Sequence, residues 1–174
     1  LEMMLVNAMS REYTMKNCLS EVKHNYDYII IDCMPSLGMI TVNALASADG
    51  VIIPVQTQYL AAKGMTQLLK IVSKVKRQIN PSLKVEGVLL TLVDRCTNLS
   101  KAIQKQLQEN YGSVFKVFDA QIPIAISTAE STSQGKSVFL YDKIGKVAES
   151  YAKVARKVDN FHKERIKHKI AQDR

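Results

Sequence analysis

The 174-residue chain is short of the residues that break or staple a fold. Seven glycines and four prolines are too few for a low-complexity or collagen-like chain. Its three cysteines, Cys18, Cys33 and Cys96, are odd in number and widely spaced. That argues against a disulfide framework and against a zinc site, and it fits a reducing, cytoplasmic compartment. No apolar run approaches the roughly 20 residues that cross a bilayer, and no signal-peptide pattern opens the sequence. Leu1 rather than Met stands first, so a piece of a longer protein is expected.

What is present is 47% hydrophobic residues, enough for one compact domain with a core that needs neither disulfide nor metal. The formal net charge is +8, from 24 basic and 16 acidic residues. It is uneven: residues 146–174 hold nine Lys/Arg against four Asp/Glu, and residues 1–145 hold fifteen against twelve. Such a balance suits a polyanionic partner, and equally a solvated lysine-rich face.

Short β-branched runs, Tyr28–Ile31, Val51–Val55 and Val85–Val93, read as buried strands, with one more short strand between Val114 and Ile122. Helical spacing begins at Met4 and runs to about Val22. It returns in Leu60, Met65, Leu68, Leu69, Val72, Val75 and Ile79, ending at Asn80-Pro81. A third stretch, with Ile103, Leu107 and Tyr111, closes at Gly112 as a C′ residue. A fourth starts near Gly145. Strands alternating with helices imply an α/β fold with a mostly parallel sheet flanked by helices on both faces. The division expected is an α/β domain over 1–160 and a basic helix extension or tail over 161–174.

Ligands of such sheets sit beyond the carboxyl ends of the strands. The first apolar run ends in Asp32, followed by Cys33-Met34-Pro35-Ser36-Leu37-Gly38. An apolar strand ending in Asp is the physical form of a Walker B segment, whose carboxylate holds Mg²⁺ or its bound water. Many strands also end in Asp as a plain turn or cap residue, and Ser36 and Gly38 suit the start of the next helix. The third run leads into Asp94-Arg95-Cys96-Thr97-Asn98-Leu99, and Pro123 follows Ile122. The histidines 24, 162 and 168 have no acidic or Cys partners at ligand spacing, and the methionines read as core filler.

Tyr26-Asp27-Tyr28-Ile29-Ile30-Ile31-Asp32-Cys33-Met34-Pro35-Ser36-Leu37-Gly38 resembles the "YDxIIIDxPPSLG" block of the ParA/Soj family of partition ATPases, in the MinD-like deviant P-loop class. Ile53-Pro54-Val55-Gln56 with Lys63-Gly64, Val88–Asp94 with Thr97-Asn98-Leu99, and Ile122-Pro123 through Gly135-Lys136-Ser137 resemble three further blocks, in order. The family's "KGGxGKT" phosphate loop has no counterpart, and Gly135-Lys136-Ser137 follows no strand directly. The resemblance therefore implies the C-terminal two-thirds of a P-loop NTPase-like protein, inactive as a fragment.

By the same resemblance, Asp32 holds Mg²⁺ through water, Pro123 lines the adenine pocket, and Asp94 lies near the base. ATP and Mg²⁺ are the implied cofactors. Non-specific DNA, a ParB-like stimulating protein and a second copy of the chain are the implied partners. The implied location is nucleoid-associated, with no membrane contact expected. Arg95, Lys101, Lys105 and Lys136 are the DNA-contact candidates, with Lys163, Arg165, Lys167 and Lys169 behind them. Cys96, Ile124 and Ser127 depart from the basic or polar residues frequent there in the family. The alternatives are a catalytically incomplete ParA-like binding module and a MinD-like membrane-targeting ATPase.

Overall fold

The computed structural model describes the backbone of residues 10–34, 36, 38–56, 59–94, 97–112 and 115–172. A 3₁₀ turn at Arg11–Tyr13 leads into α1 (Thr14–Val22), and a second 3₁₀ turn spans Lys23–Asn25. Then come α2 (Met39–Ser47), β1 (Gly50–Gln56), α3 (Tyr59–Gln78), β2 (Lys84–Thr91), α4 (Asn98–Tyr111), α5 (Ile126–Ser133), α6 (Val138–Tyr141) and α7 (Lys146–Gln172). β1 pairs with β2 in a parallel sheet. The α3 crossover has the length such a connection demands. The chain divides into two compact units, residues 1–51 with 63–85, and residues 52–62 with 86–174.

In the first unit the apolar stripe of α3 follows the helical period: Leu68, Ile71, Val72, Val75 and Ile79 meet Leu45, Val51 and Leu83 in one cluster. Lys70, Lys74, Lys76 and Arg77 fall on the exposed face. Two buried asparagines tie the backbone together. The Asn80 side-chain amide donates to the carbonyls of Leu45 (3.0 Å) and Ala48 (2.8 Å), while its Oδ1 accepts from the Ser82 hydroxyl (2.7 Å). It thus satisfies carbonyls at the end of α2 that have no partner within the helix. Asn43 does the same for the N-terminal turn: its amide donates to Arg11 O (2.8 Å), and its Oδ1 accepts the Met15 N–H (3.1 Å) in the first turn of α1.

In the second unit β2 is joined by the segment 116–124. Val88 N–H donates to Lys116 O, Phe118 N–H to Val88 O, and Ile122 N–H to Leu90 O, each at 2.9 Å. Val88–Val117 and Val93–Pro123 are parallel bridges. Gly87, at φ 151°, lies against this segment, where a Cβ would come 2.5 Å from Lys116 O. Leu89, Phe118, Ile122 and Val147 form the core, with Ile52, Val138, Val154 and Phe161 packed on it. Phe118 and Phe161 meet edge to face at 6.0 Å between ring centroids. α7 continues without interruption through residues 160 and 161.

One expectation is corrected. Tyr28–Ile31 is no strand: Tyr28 and Ile29 are exposed, and Ile30 is 91% exposed. An apolar β-branched run becomes a strand only by sharing its backbone hydrogen bonds with a neighbour, and no ladder residue is assigned here. Gly112 closes α4 in a right-handed conformation (φ −62°, ψ −22°), so positive φ is not why glycine stands there. An added Cβ would instead run into the Gln108 carbonyl. The beginning of the helix expected from Met4 lies outside the described residues.

Replacing Asn80 by Ala leaves two carbonyls of the α2 terminus without their donor. The expected loss is about 2–4 kcal/mol, read as a lower urea midpoint with an unchanged m-value. Ser82→Ala should cost less than half as much.

Candidate nucleotide and DNA site

The described geometry is richest beyond the carboxyl end of β2. Leu92 takes a left-handed conformation (φ 49°), rare for a branched side chain. It turns the chain so that Val93 N–H donates to Ile122 O (3.0 Å) and Val93 O accepts from Ile124 N–H (3.2 Å). Asp94 and Pro123, read separately from the sequence, are thereby brought to one edge as neighbours of the Val93–Pro123 bridge. Asp94 also starts a turn: its carbonyl accepts from the Thr97 N–H (3.3 Å) and hydroxyl (3.1 Å). Thr97 is the N-cap of α4, its hydroxyl accepting from Ser100 N–H (3.4 Å). The N-terminus of a 14-residue helix therefore opens onto the same edge.

Asp32 belongs to the first unit and stands exposed at the end of the irregular 28–31 segment. Its carboxylate acts on its neighbour: the Cys33 thiol is pushed above its ordinary pKa, chiefly by partial burial and then by the Asp32 charge. Among the described residues no three His, Cys, Asp or Glu side chains cluster to hold a metal. A lone exposed carboxylate fits the way Mg²⁺ is commonly bound, through one or two carboxylates together with waters and substrate phosphates. Ser36 O accepts from the Thr41 hydroxyl (2.5 Å), and Gly38 is the N-cap of α2 without a side-chain cap.

The basic candidates separate. Lys101 and Lys105 are both exposed on α4, and Lys105 lies 3.7 Å from Glu109. Lys136 is exposed between α5 and α6, its ammonium donating to Gln134 Oε1 (3.2 Å). Its loop turns at Gly135 (φ 61°), and Ser137 stands at the N-cap position of α6, so Gly135-Lys136-Ser137 joins two helices rather than a strand and a helix. Lys163 pairs with Asp159 (2.7 Å). Arg165 is committed to Glu86 of β2, a pairing that the sequence separation of 79 residues conceals. Arg95 and Cys96 lie outside the described residues. Ile124 (61%) and Ile126 (78%) are exposed.

A family model described as an AAA domain matches residues 1–85. The chain is 44% identical over 157 residues to the sporulation initiation inhibitor protein Soj of Bacillus subtilis, covering 90% of this chain and 61% of that protein. It is 37% identical over 167 residues to the chromosome partitioning protein ParA of Caulobacter vibrioides, covering 95% and 62%. The chain thus spans about three-fifths of the length of these relatives. Among solved structures, cobyrinic acid a,c-diamide synthase of Mycobacterium smegmatis with bound ATP analog and magnesium aligns with a TM-score of 0.67 at 33% identity, over 78% of this chain and 59% of that one. Apo McdA of Cyanthece aligns with a TM-score of 0.72 at 18% identity, over 84% and 59%, a likeness of fold alone.

Strands in parallel, helical crossovers and ligand-edge loops of this kind define an α/β protein of the P-loop NTPase-like fold. Within that fold the chain is similar to the ParA/Soj proteins over most of its own length.

Cys33 offers a direct reading of the Asp32 field. Because its thiol pKa is raised, its alkylation by iodoacetamide should rise with pH only above the usual thiol range. Asp32→Asn removes the charge but not the burial, so the midpoint should fall partway. Peptide-resolved mass spectrometry of the alkylated chain measures both. An unmoved midpoint would show that the carboxylate does not face the thiol.

Proposed function

We propose that this chain forms part of an ATP-dependent partitioning ATPase that binds DNA without sequence preference as an ATP-bound dimer and is stimulated by a ParB-like protein. The observation that carries the reading is the Val93–Pro123 bridge, which brings the base-side residues Asp94 and Pro123 to one edge beside the start of α4. In this reading Pro123 walls the adenine, Asp94 approaches the base, and Asp32 orients the hydration shell of Mg²⁺. ATP and Mg²⁺, when bound, supply the transferable phosphoryl group and the charge that neutralises it. Lys101, Lys105 and Lys136 carry phosphate contacts to DNA, as does Arg95.

A second reading is a ParA-like binding module without catalysis. It is favoured by one feature: within the 174 residues no Gly-Lys-Thr or Gly-Lys-Ser turn follows a strand, since Gly135-Lys136-Ser137 links α5 to α6.

The test is duplex binding by the protein carrying a phosphate loop, with and without Mg·ATP, across roughly 50–200 mM salt. Affinity should require Mg·ATP and fall by powers of ten over that range if several phosphates are contacted. Lys101→Ala with Lys105→Ala should flatten the log–log salt slope by about 0.9 per contacting lysine. Deleting residues 161–174 should matter at least as much. A slope that neither change alters would remove DNA from the proposal.

A further inference from the structure

The turn between α6 and α7 holds large apolar side chains out in water. Gly145 N–H donates to Asp142 O (3.1 Å), closing a turn with Lys143 and Ile144 at its two corners. Ile144 is 96% exposed, Leu140 79% and Phe139 45%. The element is nevertheless anchored. Val138 packs on the core of Leu89, Phe118, Ile122 and Val147. Asp142 N–H donates to Val138 O (2.9 Å), and the Tyr141 hydroxyl donates to Glu130 Oε2 of α5 (3.0 Å). The apolar tip is therefore presented by a fixed base. Its charge is one-sided: residues 134–146 contain Lys136, Lys143 and Lys146 and a single acid, Asp142, and all three lysines are exposed.

We propose that this tip is a peripheral membrane contact, inserting Leu140 and Ile144 into the headgroup–acyl boundary of an anionic lipid surface while Lys143 and Lys146 meet the headgroups. The shape favours lipid. At 96% exposure Ile144 is not walled by the described residues, which form no groove around it to receive a partner helix. A bilayer accepts a protruding side chain without a pocket of its own. The charge favours an anionic surface, to which juxtamembrane lysines are drawn. DNA would satisfy the lysines but leave Leu140 and Ile144 in water. No spanning segment is required, and no helix among the described residues is long and apolar enough to provide one. This proposal stands apart from the nucleotide reading and does not depend on it.

The test uses the 174-residue chain and sedimentation with vesicles of phosphatidylserine and phosphatidylcholine, against phosphatidylcholine alone. The chain should bind the anionic vesicles, and raised salt should weaken binding. Leu140→Asn with Ile144→Asn should lower affinity about tenfold or more. Lys143→Gln with Lys146→Gln should lower it roughly fivefold per lysine. These residues are exposed, so thermal melting should be unchanged. Because the chain has no Trp, Phe139→Trp gives a single reporter whose emission should shift to the blue on anionic vesicles. Absence of vesicle binding, or binding indifferent to Leu140→Asn with Ile144→Asn, would overturn the proposal. So would a concentration-dependent oligomer that this double variant abolishes, which would assign the tip to a second copy.

Discussion

The fold rests on the burial of β2. Val88, Leu89 and Leu90 are 1%, 7% and 0% exposed, so water cannot serve the backbone groups between them. Those groups must find protein partners, and they find them in β1 and in the segment 116–124. Everything at the ligand edge descends from that pairing. The ladder continues past β2 through Val93, the left-handed Leu92 re-aims the chain, and Asp94 and Thr97 start α4. A residue such as Leu92 held at positive φ persists only where the surrounding bonds over-determine it, and the three hydrogen bonds linking Leu90 and Val93 to Ile122 and Ile124 do so.

The first unit meets the same constraint by another route. Its helices end or begin inside the protein, and side-chain amides take the place of a ladder. Asn80 closes the end of α2, and Asn43 binds the Arg11–Tyr13 turn and α1. Each side chain offers both donors and an acceptor, which is why a buried Asn fits where an aliphatic residue would leave carbonyls unpaired.

α3, β1 and β2 were legible in the sequence because their apolar patterns agree with their final surroundings: an amphipathic stripe over Leu68–Ile79 and short buried runs at 50–56 and 84–91. Tyr28–Ile31 has an equally strong strand pattern, yet Tyr28, Ile29 and Ile30 are exposed, because a strand is a property of a pair rather than of a segment. Asn80 read simply as a helix terminator, since its partners Leu45 and Ala48 are distant in sequence. Arg165 read as one more basic tail residue for the same reason, its partner being Glu86. At the site, Asp94 and Pro123 were found by resemblance. Their proximity follows only from the bridge, and the N-cap role of Thr97 came from the structure.

The proposed function implies a division of labour: these residues would supply carboxylate, base wall and DNA-facing lysines, while phosphate affinity would belong to a Gly- and Lys-rich loop of a kind the 174 residues do not contain. The most direct measurement is a titration of the 174-residue chain with a fluorescent ATP analogue in the presence of Mg²⁺. The account predicts no saturable binding in the micromolar range. Micromolar affinity would contradict it, because the phosphate site would then be complete within this chain.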